Sequence, residues 1–535
     1  MKLTFKKMAS LLLTVLIILG ILSGCSGSKN KGSSNVNPKG ENDNSPITLT
    51  AYVDGNWSNM DNWGNDPTSK RITKETGVTV KTSKPVANDT QKVSLMVSSG
   101  DLPDYMILSK NDPAWDQMIA NDQLFPLDEL MDKYAPKMKS TLQPEHLQIN
   151  KYKDGKIYYF ANFVEGPKYR EDAKKYNSLV GTNQSVILIR QDYYDEIGKP
   201  EIKNPQDFMK ALEELKAKHP DKIPFYGGDG SFLSGPGPLT THFGIEPYYK
   251  VDDTLKMQYK DPKYLDMLKW MNQMASNGLL TKESFVDNTE ISIGKTKQGL
   301  PISYTWTIGE TGKIPSDNPK TTYQPMAPWD SYKQVRYGTG WYAVGITKKC
   351  KNPARAIRFL EYANSEAGWK AFNWGVEGDK YSGDPVNGPH YKVIDGKPTY
   401  FKEYMDAKLA DWAGLERKNG LGAYSMFVLD YEANYIATWN PDDPLMKKMN
   451  EIYAPKVVYT PEYDIVVPGG SDESVIDQKI DDLIKEYTVK IVFAKSQNEV
   501  TSLYNEFVNT CEKAGASKLE KFYTETWKAK LSKNN

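Results

Sequence analysis

Apolar positions along the chain follow two rhythms. Short runs rich in β-branched and aromatic residues, "PITLTAYV" (46–53), "VTVKTS" (78–83) and "DYMIL" (104–108), read as strands. Between and after them lie segments whose apolar residues recur every three or four positions, the helical spacing. "KNPQDFMKALEELKAK" (203–218) opens with Asn204 as N-cap and Pro205 at the first helical position, with Phe208, Leu212 and Leu215 on one face. "KDPKYLDMLKWMNQMASNGLL" (260–280) repeats the device with Asp261, Pro262, Leu265, Leu268 and Met271, and stops at Gly278. "KNPARAIRFLEYANSEAGWKAF" (351–372) uses it again through Asn352, Pro353, Ile357 and Leu360. An Asx side chain accepts first-turn N–H groups, and proline loses nothing where its missing N–H had no partner. "SKRITKET" (69–76), ended by Gly77, and "KVSLMVSSG" (92–100) read as further helices. The alternation of strand and helix predicts an α/β class with a mainly parallel sheet. A second α/β region begins near "SVILIRQDYYDEIG" (185–198), and 471–531 reads as helical with no further sheet.

The N-terminus changes the picture. Lys2, Lys6 and Lys7 precede the apolar run "MASLLLTVLIILGIL" (8–22), too short for a spanning helix and followed by small residues, as in an export signal. "LSGC" (22–25) resembles a bacterial lipobox, which implies a diacylglyceryl thioether on Cys25; an ordinary secreted protein or an uncleaved anchor are the alternatives. The polar stretch that follows reads as a disordered tether. The remaining body is too long for one core and predicts two or three folding units. The whole chain has a net charge of zero, and removing the signal's three lysines leaves −3, which offers no basic field for nucleic acid. Aromatics reach 12 %, with 12 Trp and 34 Tyr, and suit surfaces apolar on one side and wet on the other. Beyond Cys25 only Cys350 and Cys511 remain, as two buried thiols or one long-range bridge. The four histidines, His146, His219, His242 and His390, show no metal-ligand spacing.

Catalytic templates find no match. "GKT" (294–296) lacks the earlier glycine of a phosphate loop, with Thr289 in its place, and the Gly-rich run at 226–244 has no nucleophile or dinucleotide pattern. Acidic residues are plentiful, but nothing singles out a glycosidase-type pair. One loop is unusual: "DGNWSNMDNWGND" (54–66) places Trp57 and Trp63 in a stretch without helical or strand period.

Several segments taken in order resemble the carbohydrate-type extracellular solute-binding proteins of ABC importers, the maltose-binding-protein class. The branch they resemble is the long Gram-positive lipoproteins related to alginate-binding proteins. The carrying residues are "ITKETGVTV" (72–80), "VSSGDLPDYMIL" (97–108), "QLFPLDELMDKYAP" (123–136), "DGKIYYF" (154–160) and "LIRQDYYDEIGKPEIKNPQDFMKALEELK" (188–216). "MASNGLL" (274–280), "WYAVGITKKCKNPARAIRFLEYANSEAG" (341–368) and "NWGVEGDKY" (373–381) complete the set. The resemblance implies an α/β, two-lobed periplasmic-binding-protein-like fold of type II with a ligand cleft between the lobes and a helical C-terminus. The expected layout is signal peptide 1–24, tether 25–46, first lobe 47–165 and 341–455, second lobe 166–340, and a C-terminal helical part, 456–535, packed on the second lobe. Relatives in that branch carry an Asp/Asn/Gly-rich calcium loop after the helix that here ends in "LKAK"; "HPDKIPF" (219–225) is too short and too poor in oxygen ligands, so no calcium and no cofactor are expected.

A sugar presents an apolar C–H face and a rim of hydroxyls, so its site needs aromatic platforms with fixed polar groups. Position relative to the family's ligand loops nominates Asp54, Asn56, Trp57 and Trp63 after the first strand, and Asn111 and Trp115 after "YMILS". Phe163 and Glu165 follow the first crossing, Trp306 resembles the second lobe's platform, Trp341 lies at the return crossing, and Trp374 with Glu377 lies behind it. The function implied is a monomeric, lipid-anchored receptor on the extracellular face of the membrane that captures an oligosaccharide and passes it to an ABC permease. A glycan-active enzyme, or a sugar sensor for a two-component kinase, is the alternative.

Overall fold

The computed structural model describes residues 44–86, 91–166, 185–227, 232, 237–307, 322–429, 451–468 and 470–534. Cys25, the signal and most of the tether therefore lie outside the described residues. In chain order the strands are β1 (Ile47–Val53), β2 (Val78–Ser83), β3 (Tyr105–Ser109), β4 (Tyr159–Ala161), β5 (Ser185–Arg190) and β6 (Ile223–Tyr226). There follow the hairpin β7 (Tyr248–Val251) and β8 (Thr254–Met257), then β9 (Pro301–Thr307), β10 (Tyr323–Pro325), β11 (Gln334–Arg336) and β12 (Tyr342–Ile346). A second hairpin, β13 (Tyr391–Ile394) and β14 (Lys397–Tyr400), and β15 (Val457–Tyr459) complete the set.

Two larger sheets form, in the orders β2-β1-β3-β12-β4 and β10-β5-β9-β6. Both are mixed rather than mainly parallel. β1 pairs in parallel with β2 and β3, but β12 runs antiparallel to β3 and β4, and β5 runs antiparallel to β9 and β10. The parallel pairs are those joined through helices, whereas β12 enters directly from the return passage between the sheets, where no helical crossover fixes its direction.

Each sheet is covered on both faces. Tyr105 and Ile107 of β3 point into a core with Leu127, Ile357 and Phe427, while Met106 and Leu108 point the other way onto Val97, Trp115 and Met118. This is the two-residue alternation of a strand buried on both sides. Around the second sheet, Ile187 and Ile189 pack with Phe208, Leu212, Trp270 and Trp329, and Val186 and Leu188 pack with Tyr304 and Tyr453. The C-terminal helices Asp472–Val492, Gln497–Ala514 and Ala516–Asn534 contribute Ile480, Phe507 and Leu519 to that second core. The Asx–Pro starts behave as their chemistry requires: Asn204 accepts from the amides of Gln206 and Asp207, Asp261 from Lys263, and Asn352 from Arg355. Asp66 and Pro67 do the same for the helix Pro67–Thr76, two residues earlier than its periodicity suggests. Cys350 and Cys511 are free and buried in different cores. Among the described residues no helix is long and apolar enough to cross a membrane.

Three passages run side by side between the sheets. Residues 162–165 pair with 338–342 through Asn162 N to Tyr342 O (2.8 Å), Gly340 N to Phe163 O (2.8 Å) and Glu165 N to Gly338 O (2.7 Å). β15 pairs in parallel with β11, and the Thr460 amide donates to Arg336 O at 2.8 Å.

Candidate ligand-binding cleft

The neighbouring strands β1, β3 and β12 all reach the passages at one end, and the loops there assemble an aromatic surface. β1 continues past Val53 through Asp54, whose amide donates to Ile107 O (2.9 Å), and then turns, with Gly55 N bonded to Val53 O (2.9 Å). The turn leaves Trp57 53 % exposed. Gly55 is required for its pose: a Cβ there would stand 2.7 Å from Cε2 of Trp57, so only glycine lets the indole lie against the turn. The loop after β3 meets the start of β12 through the Lys110 amide and Trp341 O (2.9 Å). Trp341 is 51 % exposed, and its ring centroid lies 5.4 Å from that of Trp57 with the planes tilted by 41°. Tyr342 packs edge-on to both indoles, at 5.8 Å from Trp57 and 4.5 Å from Trp341, and its hydroxyl donates to the Asp54 carbonyl.

Beside Trp57 opens a pocket of about 480 Å³ whose lining includes Asp54, Asn56, Ser94, Asp112 and Gln117. Asp54 accepts from the Tyr52 hydroxyl (3.1 Å), and Asp112 accepts from the Ala114 amide (2.8 Å). Burial, with the negative charge of Asp54 nearby, pushes the Asp112 carboxyl above its usual pKa, against the lowering effect of the Ala114 amide. A half-exposed aromatic pair, one ring of which lines a pocket of hydrogen-bonding groups, can take a ligand with one apolar face and a polar rim.

The other nominated residues divide. Asn111 is exposed in the loop beside Asp112, and Asn56 lines the pocket. Trp63 is a core residue, not a platform: it is 9 % exposed, donates from Nε1 to Thr73 Oγ1 (3.0 Å), and packs on Tyr424 and Phe359. The turn Met60–Asn62 directs it inward, where the helix that begins at Pro67 covers it. Trp115 is likewise core, 2 % exposed, bonded to Ser109 O (2.9 Å) and stacked on Tyr159 at 4.7 Å, because it sits on the buried face of the helix Ala114–Ala120. Glu165 is not open to a ligand either; it is 4 % exposed and ion-paired with Arg336 between the passages. Phe163 is half-buried in the same passage, its carbonyl accepting from Gly340. Trp374 and Glu377 meet Tyr391, the former at 5.8 Å ring to ring and the latter through the tyrosine hydroxyl (3.2 Å), in a satellite cluster with Tyr400 and Leu421. Trp306 pairs with Val186 at the end of the second sheet that adjoins the passages, and its side chain lies outside the described residues.

Sequence reasoning missed Gly55, Tyr342 and Asp112. For Asp112 the signal was present, an Asx before Pro113 ahead of a helix; for Gly55 and Tyr342 it lies in contacts between distant segments.

Residues 68–374 match the family model described as bacterial extracellular solute-binding protein. The chain is 28 % identical over 408 residues, covering 70 % of it and 72 % of the relative, to the fructooligosaccharide ABC transporter substrate-binding protein FusA of Streptococcus pneumoniae serotype 4. Among solved structures, the alginate-binding protein AlgQ2 without calcium ion superposes with a TM-score of 0.68 at 19 % identity over 90 % of this chain and 98 % of that one. Streptococcus pneumoniae FusA in complex with kestose gives 0.67 at 19 % identity over 91 % and 100 %. These two likenesses establish the fold, two α/β lobes with a helical C-terminal region.

Proposed function

This chain belongs to the bacterial extracellular solute-binding protein family, and on that premise we propose that it captures an oligosaccharide for an ABC importer. It is a binding protein and not an enzyme, which removes the glycan-active alternative. The observation that carries the sugar reading is the half-exposed pair Trp57 and Trp341, with Trp57 lining a pocket that also carries carboxylates and amides. Pyranose and furanose rings match that combination of apolar face and hydroxyl rim. The FusA relative, a fructooligosaccharide ABC transporter substrate-binding protein, supports the same class. Capture is a shift between open and closed arrangements of the lobes, driven by ligand contacts made to both. The lobes are residues 47–165 with 341–455, and 166–340 with 456–535, with Tyr453 at the end of the first range already packed on the second sheet. The second wall of the cleft is formed near Trp306.

The mature chain is a monomer held to the outer face of the membrane by a lipid on Cys25, where it delivers its ligand to the permease subunits. Intact mass and membrane fractionation test the anchor: loss of membrane association in Cys25→Ala is expected, and unchanged association refutes it. Isothermal titration with neutral oligosaccharides of three to five units tests the ligand class. One-site binding to at least one series, with no product formed, is expected. Binding of peptides and of no sugar would keep the fold and overturn the class.

A further inference from the structure

The pocket beside Trp57 has a one-sided charge. Among the described residues its lining carries two carboxylates, Asp54 and Asp112, and no lysine or arginine. The cations on the two flanking loops are already committed. Lys84, after β2, reaches Ser58 O (2.6 Å) and Asp61 (3.3 Å), and Lys110, after β3, is paired with Asp464 and bonded to Thr339 Oγ1 (2.9 Å). The remaining polar lining is neutral. Asn56, Ser94 and Gln117 make no side-chain hydrogen bond among the described residues, so their donors and acceptors are open to a ligand.

Two acceptor-only groups ask for donors. Asp112 already has the Ala114 amide, and Asp54 the Tyr52 hydroxyl, so both are held in place rather than free to swing aside. Sugar hydroxyls donate readily to a fixed carboxylate, and such charge-assisted bonds are the strong ones. A ring bearing its own carboxylate meets the opposite situation. It would bring a third negative charge into a partly buried pocket that is lined by no lysine or arginine among the described residues, and like charges at short range in a low dielectric repel strongly. The raised pKa of the Asp112 carboxyl is the same repulsion and burial acting on the pocket before any ligand arrives.

We propose that this first-lobe subsite selects for rings without negative charge: a neutral sugar stacks on Trp57 and donates hydroxyls to Asp54 and Asp112, and uronate rings are rejected. The inference rests on the reading of the chain as an oligosaccharide receptor and sharpens it to the uncharged class. Asp54 and Asp112 are then the specificity-determining residues, and Trp57 supplies affinity without regard to charge.

The test compares two probe sets by isothermal titration against the purified chain: neutral gluco-, manno- and fructo-oligosaccharides, and oligogalacturonides and alginate oligomers of the same lengths. Uronates are expected to bind about a hundredfold or more weaker than the tightest neutral probe. The isosteric Asp54→Asn and Asp112→Asn variants, with melting curves checked, should shrink that ratio about tenfold each. Gln117→Lys should raise uronate affinity in a background whose carboxylates are intact. Uronates that bind as tightly as neutral probes, or a ratio unmoved by all three variants, overturn the charge selection and leave the receptor reading standing. Failure of every sugar of either charge overturns both.

Discussion

Replacing Trp57 with alanine separates a platform from a packing residue. The indole is 53 % exposed, and with about 250 Å² for a full tryptophan side chain this leaves about 130 Å² for a ligand to cover. Covering half to all of that area is worth about 1.5–3 kcal/mol at about 25 cal/mol per Å². Trp57→Ala should therefore weaken binding about 10- to 150-fold. The folded state loses less. The contacts given up are those with Trp341 and Tyr342 at the rim, about 0.5–1.5 kcal/mol per aromatic pair, and no core cavity opens. Titration with the tightest neutral oligosaccharide gives the affinity, and calorimetric melting gives the stability. A dissociation constant within twofold of the parent, in a variant that melts normally, would refute the platform. A large drop in melting temperature would refute the assignment of Trp57 to the rim.

The second tryptophan of the same loop should behave in the opposite way: Trp63→Ala leaves a cavity in the first core and costs about 3–5 kcal/mol in denaturant unfolding, with ligand affinity of the surviving folded fraction unchanged. Gly55→Ala pushes the Trp57 ring off the turn by steric contact and should lower affinity about tenfold with little change in melting, because the three atoms nearest the added Cβ all belong to that half-exposed indole. Burial holds His146 and His390 down at about 4 and His242 at about 3, from 6.5. An unfolded chain takes up these protons first, so the stability they confer is complete above pH 6.5 and is lost as pH falls through about 4; His146→Gln should flatten that slope in melting curves. Calcium added to metal-stripped protein should leave the melting temperature unchanged, since the turn after the helix Pro205–Lys218 sets Lys218 and His219 against Glu196, and a clear upward shift would count against this.

What could be read in the sequence was local. The caps of Asn204, Asp261 and Asn352 act through neighbours two or three residues away, so composition and spacing reveal them. The strand runs were legible for the same reason. The direction of β12 was not, because it is set by a partner more than two hundred residues earlier, with Val344 opposite Ile107. Of the tryptophans, sequence gave Trp57 and Trp63 the same loop and the same surroundings. Only the helix at Pro67–Thr76 and the distant Phe359 and Tyr424 decide that one is covered and the other is not. The partner of Trp57, Trp341, was nominated through the crossing it occupies, and nothing local tied the two rings together.

The fate of Glu165 shows how the passages serve the site. Glu165, from the outward passage, is paired with Arg336 of the return passage, with side chains 2 % and 10 % exposed. Lys110, from the loop behind β3, is paired with Asp464 beyond the third passage, each 11 % exposed, and Thr339 Oγ1 donates to that same carboxylate at 3.1 Å. Sliding one passage past another would leave a largely buried charge without its partner, which costs more than the intact pair contributes. The passages are thus tied into one bundle, with glycines where their backbones meet. Gly338 supplies a left-handed φ of 72°, and at Gly340 a Cβ would stand 2.1 Å from Asn162 Oδ1. Trp341 follows immediately and faces Trp57. Glu165, expected from its place after the first crossing to meet a sugar, instead ties the passages together next to the strand ends that carry the two indoles.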